Sequence, residues 1–354
     1  MEQMQVNQMQ EEAALRHPWI RYFARMLDLG IYATLWALVE KLVLRWHIGN
    51  SLGENLINIV FTMALMLALE PVLLSVWGTT PGKWLFGLRL RTQEGETVAY
   101  RDALSRTVGL LKWGMGFDIP IYSLVCRYRS YKKCRAGETP AWDEELSYTV
   151  KTYKPWRAWA YVGVQLAFVA LGAMIILEGQ LPPHRGNLIP AQYVANVNDI
   201  KKQFAGMDTW RMTPTGEWEE QQSGGILISH FPDSEPLNHK LTVQDGLVVG
   251  VQLRAERSGE WIGGVGNDKR IAAIAFIGAQ PGMNGVRFFL TDAFLKRLDD
   301  ALSSDSFTIA GVGVTTAVEH TGYQQAGNSF LFAGEEGKEH FYQMDFEMAR
   351  ISAE

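Results

Sequence analysis

Four stretches carry apolar residues almost without interruption: 26–44 (MLDLGIYATLWALVEKLVL), 56–77 (LINIVFTMALMLALEPVLLSVW), 108–126 (VGLLKWGMGFDIPIYSLVC) and 158–177 (AWAYVGVQLAFVALGAMIIL). A helix of about 20 residues is about 30 Å long, the thickness of a bilayer's hydrocarbon core, so each reads as a membrane segment. The fourth is the cleanest, with Gln165 its only strongly polar residue and Trp156 and Trp159 at its basic entrance. Past residue 190 the period shortens to that of strands. LTVQDGLVVGVQLRAE forms two alternating runs about Asp245-Gly246, a hairpin signal. GILISHF, RIAAIAFIGA and FTIAGVGVTTAV are further strand candidates, and SFLFAGEEGKEHFYQMDFEM reads as a second hairpin ending in the alternation Tyr342, Met344, Phe346, Met348. AQYVANVNDIKKQF has helical character, TDAFLKRLDDAL is a helix with Thr291 as its cap, and EGQLPPHRGNLIP reads as a linker.

These patterns predict a membrane α-helical domain followed by a soluble α+β domain with a mainly antiparallel sheet. The expected divisions are an N-terminal cytoplasmic segment (1–18), a membrane domain (19–151), an additional transmembrane helix (152–178), a linker (179–190) and the α+β domain (191–354). The polar start MEQMQVNQMQEEAALRHPW lacks the apolar region of a signal peptide, so the first span is expected to be an uncleaved anchor.

Basic residues then orient the chain, because loops rich in Lys and Arg stay cytoplasmic. Three of the connections are basic, whereas RWHIGNSLGEN between the first two segments carries only Arg45 and His47. A plain crossing by 108–126 would put its two basic flanks on opposite sides. Gly114, Gly116 and Pro120 around Asp118 break a helix, so the expectation is three full spans plus a re-entrant or broken segment. The tail then lies outside the cytoplasm, in the periplasm of a bacterial inner membrane protein; a plain crossing would reverse that. Charge follows the same division: residues 1–177 hold 19 Lys and Arg against 15 Asp and Glu, and the remainder 14 against 23.

GTTPGKW (78–84) has the look of a phosphate loop, but only three residues separate its glycines and Trp84 stands where a magnesium-binding hydroxyl belongs. The chain instead resembles the RDD family of bacterial integral membrane proteins, in RYFARMLDLGIY (21–32), GTTPGKWLFGLRLRTQEGETVAYRDALSRTVG (78–109) and WDEELSYTV (142–150). The matching residues are Arg25, Asp28, Thr80, Pro81, Gly82, Lys83, Gly87, Arg106 and Asp143, with Arg21 also aligned, over about residues 17–151. The resemblance implies transport more than catalysis, of the cation/proton exchange type. The middle block reads as an interfacial staple, with Lys83 on anionic headgroups and LRLRTQEGETVAY forming a small cytoplasmic β-hairpin.

Charges within the apolar segments are costly unless paired or wet. One reading makes Asp28, Glu70 and Asp118 an ion or proton pathway, with Arg21, Arg25 and Lys112 as charge partners. The other makes Arg21 and Arg25 snorkelling, topology-setting groups, with Asp28 neutralising one of them. The partners expected are the bilayer, a small cation or proton, and further copies of the chain, since no internal repeat is visible. The alternative function is a non-transporting anchor or sensor whose tail binds an envelope protein.

Catalytic chemistry is sparse in the tail. His230, His239, His320 and His340 stand singly, GGVGND (263–268) reads as a turn, and no nucleophile elbow or paired metal motif occurs. Neither Cys126 nor Cys134 has zinc-site spacing. No enzyme activity, metal or cofactor is expected, and the acidic tail argues against nucleic acid.

Overall fold

The computed structural model describes residues 18–45, 52–140, 142–143, 146–150, 156–204, 210–220, 235–259, 261–326, 330–334 and 339–351. It divides into two compact units, Met1–Ala173 and Met174–Glu354.

The first unit is helical. Helix α1 (Pro18–Leu38) continues as a π-helical turn to Val43 and buries Ala24, Leu27, Asp28, Tyr32 and Trp36, a stripe at spacings of three and four. Trp36 stacks on Phe61 at 4.1 Å and donates from its indole nitrogen to Asn58 Oδ1 at 2.9 Å. Both partners belong to α2 (Leu52–Trp77), which buries Met66, Glu70 and Leu74 while Val60, Val72 and Val76 face outward. A short helix α3 (Pro81–Leu85) and strand β1 (Leu88–Thr92) follow. Next come α4 (Tyr100–Gly109), a π-helical stretch (Leu110–Met115) and a 3₁₀ turn (Gly116–Asp118). Gly116, Phe117, Asp118 and Ile121 all have positive φ, so the helix expected to break here does break. Helix α5 (Tyr122–Ala136) then packs back on that stretch: a Cβ on Gly116 would lie 2.8 Å from the Tyr122 ring and 3.2 Å from Cys126 Sγ. Both cysteines are free and buried.

β1 does not form the local hairpin expected of LRLRTQEGETVAY. It pairs antiparallel with β2 (Leu146–Val150), from Leu88 opposite Val150 to Thr92 opposite Leu146, and residues 96–99 are not strand. Helix α6 (Trp156–Gly179) leaves its apolar surface exposed almost all round. Two helical stretches, Asn55–Trp77 and Trp156–Gly179, are long and apolar enough to cross a membrane.

The described residues of the second unit form a pair of short strands, β3 (Trp210–Met212) and β4 (Trp218–Glu220), a three-stranded sheet in which β11 (Phe330–Ala333) lies between β10 (Tyr323–Ala326) and β7 (Trp261–Gly263), and an antiparallel five-stranded sheet in the order β5-β6-β12-β9-β8. The large sheet comprises β5 (His239–Gln244), β6 (Leu247–Arg257), β8 (Asp305–Ile309), β9 (Val312–Thr321) and β12 (Phe341–Arg350). The Asp245-Gly246 hairpin forms as read, with φ of 52° and 77° at the two turn residues. The alternation on β12 also holds: Tyr342, Met344, Phe346 and Met348 are all fully buried, each contributing about 1.5–3 kcal/mol of apolar burial.

Other tail expectations are corrected. RIAAIAFIGA belongs to helix α8 (Val265–Ile277), buried on nearly every side, so its β-branched residues lack the polar face that marks a helix. GGVGND is the junction of β7 (Trp261–Gly263) with that helix, not a free turn. FTIAGVGVTTAV is two strands about Ala310-Gly311. The second hairpin does not form: β11 (Phe330–Ala333) pairs with β10 (Tyr323–Ala326) and β7, whereas β12 joins the large sheet. Helix α9 spans Gly285–Leu295, so Thr291 lies inside it and does not cap it. The stretch 178–190 is part of this unit, with Leu181 and Leu188 in its core and Gly186 donating to Ala279 O. Helix α7 (Pro190–Ile200) follows as expected, and GILISHF and His230 lie outside the described residues.

Candidate functional site

Thr80-Pro81-Gly82-Lys83 builds a corner. Thr80 sits in extended backbone as N-cap of α3, its hydroxyl accepting from Lys83 N, and Pro81 takes the first helical position, where its missing N–H costs nothing. Gly82 meets α1: an added Cβ would stand 2.1 Å from Ala24 O, so only hydrogen fits. This approach lets Gly82 N donate to Asp28 Oδ1 at 2.7 Å while Thr80 Oγ1 donates to Asp28 Oδ2 at 2.5 Å. Gly87, with φ of 75°, then turns the chain into β1.

Lys83 points inward, correcting the expectation that it meets headgroups. Its Nζ donates to Glu70 Oε1 at 2.9 Å and Thr80 Oγ1 at 3.2 Å, and lies 3.7 Å from Asp28 Oδ2. Glu70 also receives Arg25 in a two-pronged pair, Nη2 to Oε1 at 2.8 Å and Nη1 to Oε2. Arg106 Nη1 lies 3.6 Å from Glu70 Oε1, and Arg106 Nε donates to Asp143 Oδ1 at 2.8 Å. Arg21 Nη2 closes the chain of contacts on Asp143 Oδ2. Asp28, Glu70 and Asp143 are buried, as are Lys83 and Arg106.

Every residue of this cluster falls within the range that decides the family. The RDD family model matches residues 15–178. These residues are an RDD-family domain. The match runs beyond the motif blocks to take in α6, and the second unit continues past it. RDD is a membrane family, in keeping with the two membrane-capable helices of this RDD domain. Comparison with curated proteins and with solved structures gave no match.

The RDD motif residues are thus one charge cluster with four cations and three carboxylates, a surplus of one positive charge among the described residues. Asp28 binds the α3 corner and Lys83, not an arginine of its own helix as the snorkelling reading had it. Asp118 lies apart, in the helix break, paired with Arg127 at 2.5 Å and partly exposed. Lys112 is exposed over the Trp113 ring at 4.8 Å. Of the six membrane charges expected to act together, Asp28, Glu70 and Arg25 share direct contacts through Lys83 and Glu70, and Arg21 joins through Asp143 and Arg106. Sequence reading left Lys83 and Arg106 out of the intramembrane charge set. The signal was present in their place within the most specific motif block.

Beside the cluster opens a cavity of about 530 Å³ between α1, α4 with its π-helical continuation, and α5. Arg21, Arg25, Lys83, Arg106 and Arg127 line it, together with aromatic and aliphatic side chains, and no carboxylate does among the described residues. This is the size of a small-molecule site.

The tail holds no group of three or more metal-ligating residues among the described residues. His320 is exposed and His340 rests its ring 5.6 Å from Tyr323. His239 is buried with Nδ1 2.8 Å from the Tyr193 hydroxyl, and burial pushes its pKa down to about 3. Burial pushes Asp268 up to about 7, against the Leu237 N–H it accepts and the charge of Arg257. Between pH of about 4, where an unfolded Asp titrates, and about 7, the folded chain keeps a proton on Asp268 that the unfolded chain has lost, so stability falls as pH rises. His239 acts oppositely: from about 3 to about 6.5 the unfolded chain holds a proton the folded one lacks, so stability rises with pH. Asp268→Asn retains an acceptor for Leu237 N–H and removes only the first slope. Thermal unfolding of the full-length chain in detergent is expected to show the variant's tail losing stability from pH 6.5 to 4 more steeply than the parent's; parallel profiles would refute this.

Proposed function

We propose that the RDD domain binds a small amphipathic anion in its cation-lined cavity, the recognition step of a solute-translocation function. One observation carries this: five cationic side chains and an apolar wall face a cavity of about 530 Å³ from which carboxylates are absent among the described residues. Four of those cations contact the buried carboxylates, whose oxygens are engaged by Arg, Lys, Thr and a backbone N–H, and Arg127 pairs with the partly exposed Asp118. Such engagement holds cations in place in a medium of low dielectric. It gives cation/proton exchange at Asp28, Glu70 and Asp118 less support, because a carrier carboxylate has to shed its partners to load.

We also infer that α1 with its π-helical continuation is a third span and that 108–126 is re-entrant. The reversal at Gly116–Ile121 and the return of α5 support this, and with basic loops held inside, the tail lies outside the cytoplasm.

Binding is tested with the full-length chain in nanodiscs, titrated with a dansylated undecanoate as the amphipathic anion and its amine counterpart as the cation. One saturable site preferring the carboxylate is expected, weakened at least about tenfold by Arg127→Glu, a loss of about 1.4 kcal/mol. Absence of saturable binding, or preference for the amine, would sink the reading.

A further inference from the structure

We propose that α9 lies in the bilayer interface, with Val286, Phe289 and Leu290 set into the leaflet at which α6 ends. These three side chains are 48%, 59% and 68% exposed. At spacings of three and four they share one face of α9, while Phe288 on the other side is buried. Scattered exposed apolar residues need no explanation, but three grouped on one face of a single helix do.

The attachment of α9 names the occupant. Gly285 N donates to Glu178 Oε2 at 2.8 Å, and Glu178 Oε1 is paired with Arg185 at 2.6 Å. A Cβ on Gly285 would lie 2.6 Å from the Leu177 carbonyl carbon and from Glu178 N, so the start of α9 touches the backbone of the last turn of α6. The 24 residues of α6 extend about 36 Å, slightly more than the roughly 30 Å hydrocarbon core, which sets Glu178 at headgroup level. The first turn of α9 is therefore held at the membrane boundary by direct contact. An apolar helical face at that depth gains by entering the acyl boundary, and the exposed Arg287 beside it suits the headgroups. A bilayer is thus the surface within reach of these side chains.

The test uses the full-length chain in nanodiscs carrying one nitroxide at a time, at Phe289→Cys, Leu290→Cys or, on the exposed sheet surface, Thr315→Cys. Cys126 and Cys134 are buried, and the parent chain taken through labelling is the blank. Labels at 289 and 290 are expected to collide with oxygen in preference to a nickel chelate severalfold more than the label at 315. Val286→Cys gives the same reading if either variant fails to elute as the parent does. Labels at 289 and 290 as open to nickel as that at 315 would overturn the proposal. So would labels shielded from both reagents with spin–spin broadening, which would place a second copy of the chain on this face.

Discussion

Glu70→Ala is expected to remove most of the folded protein. Glu70 is the only carboxylate in the cluster that touches Arg25, Lys83 and Arg106 together, and it is completely buried. Without it, three cations are left in a low-dielectric interior with Asp28 and Asp143 as their remaining described counter-charges. Breaking a buried ion pair by deleting one partner typically costs about 3–5 kcal/mol, because the other partner stays buried and uncompensated. That is a large part of the 5–15 kcal/mol that usually separates folded from unfolded chains. Thermal size-exclusion profiles of the full-length chain in mild detergent should show the variant largely aggregated at temperatures where the parent is monodisperse. Glu70→Gln, which retains one acceptor oxygen, should fall between the two, and a parent-like Glu70→Ala profile would refute the assignment.

Gly82→Ala carries the next largest effect, from a single methyl group. Its Cβ would fall 2.1 Å from Ala24 O and 2.9 Å from Asp28 Oδ1. The nearer obstacle is α1 backbone, which has no rotamer to change, so α3 has to move away. Movement stretches the Gly82 N to Asp28 Oδ1 bond and draws Thr80 and Lys83 with it. Overpacking alone costs about 1–3 kcal/mol, and loss of a donor to a buried carboxylate adds to that. The expected outcome is a fall in thermal stability close to that of Glu70→Ala. A fall no greater than that of Gly163→Ala, a helical glycine of α6 with open space around it, would contradict the packing described.

How much of this could be read from residues alone depended on the range of the interaction. α2 and α6 announce themselves by length and hydropathy, Asp245-Gly246 by turn chemistry, and β12 by strict alternation, all properties of neighbouring residues. The family was legible from Thr80, Pro81, Gly82, Lys83, Gly87 and Arg106 in order. What those residues do was not legible, because their partners lie far along the chain: Gly82 meets Asp28, Arg25 meets Glu70, and Arg21 meets Asp143. Lys83 illustrates the ambiguity, since a lysine beside Trp84 at the end of a span fits the headgroup region as well as a buried carboxylate. β1 was misassigned for the same reason, its true partner lying beyond both α4 and α5. RIAAIAFIGA failed differently: a helix buried all round carries no periodic signal, so its β-branched residues decided the reading wrongly.

The central claim is that these carboxylates neutralise a fixed set of buried cations rather than carry protons or cations along a track. Combining Glu70→Gln with Lys83→Met restores the original charge surplus of the cluster, so the thermal stability of the double variant tests it most directly. Neutralisation of buried cations predicts that the double variant is more stable than Glu70→Gln alone, a coupling between residues in contact. Stability losses that simply add, with the double variant the worst of the set, would contradict it.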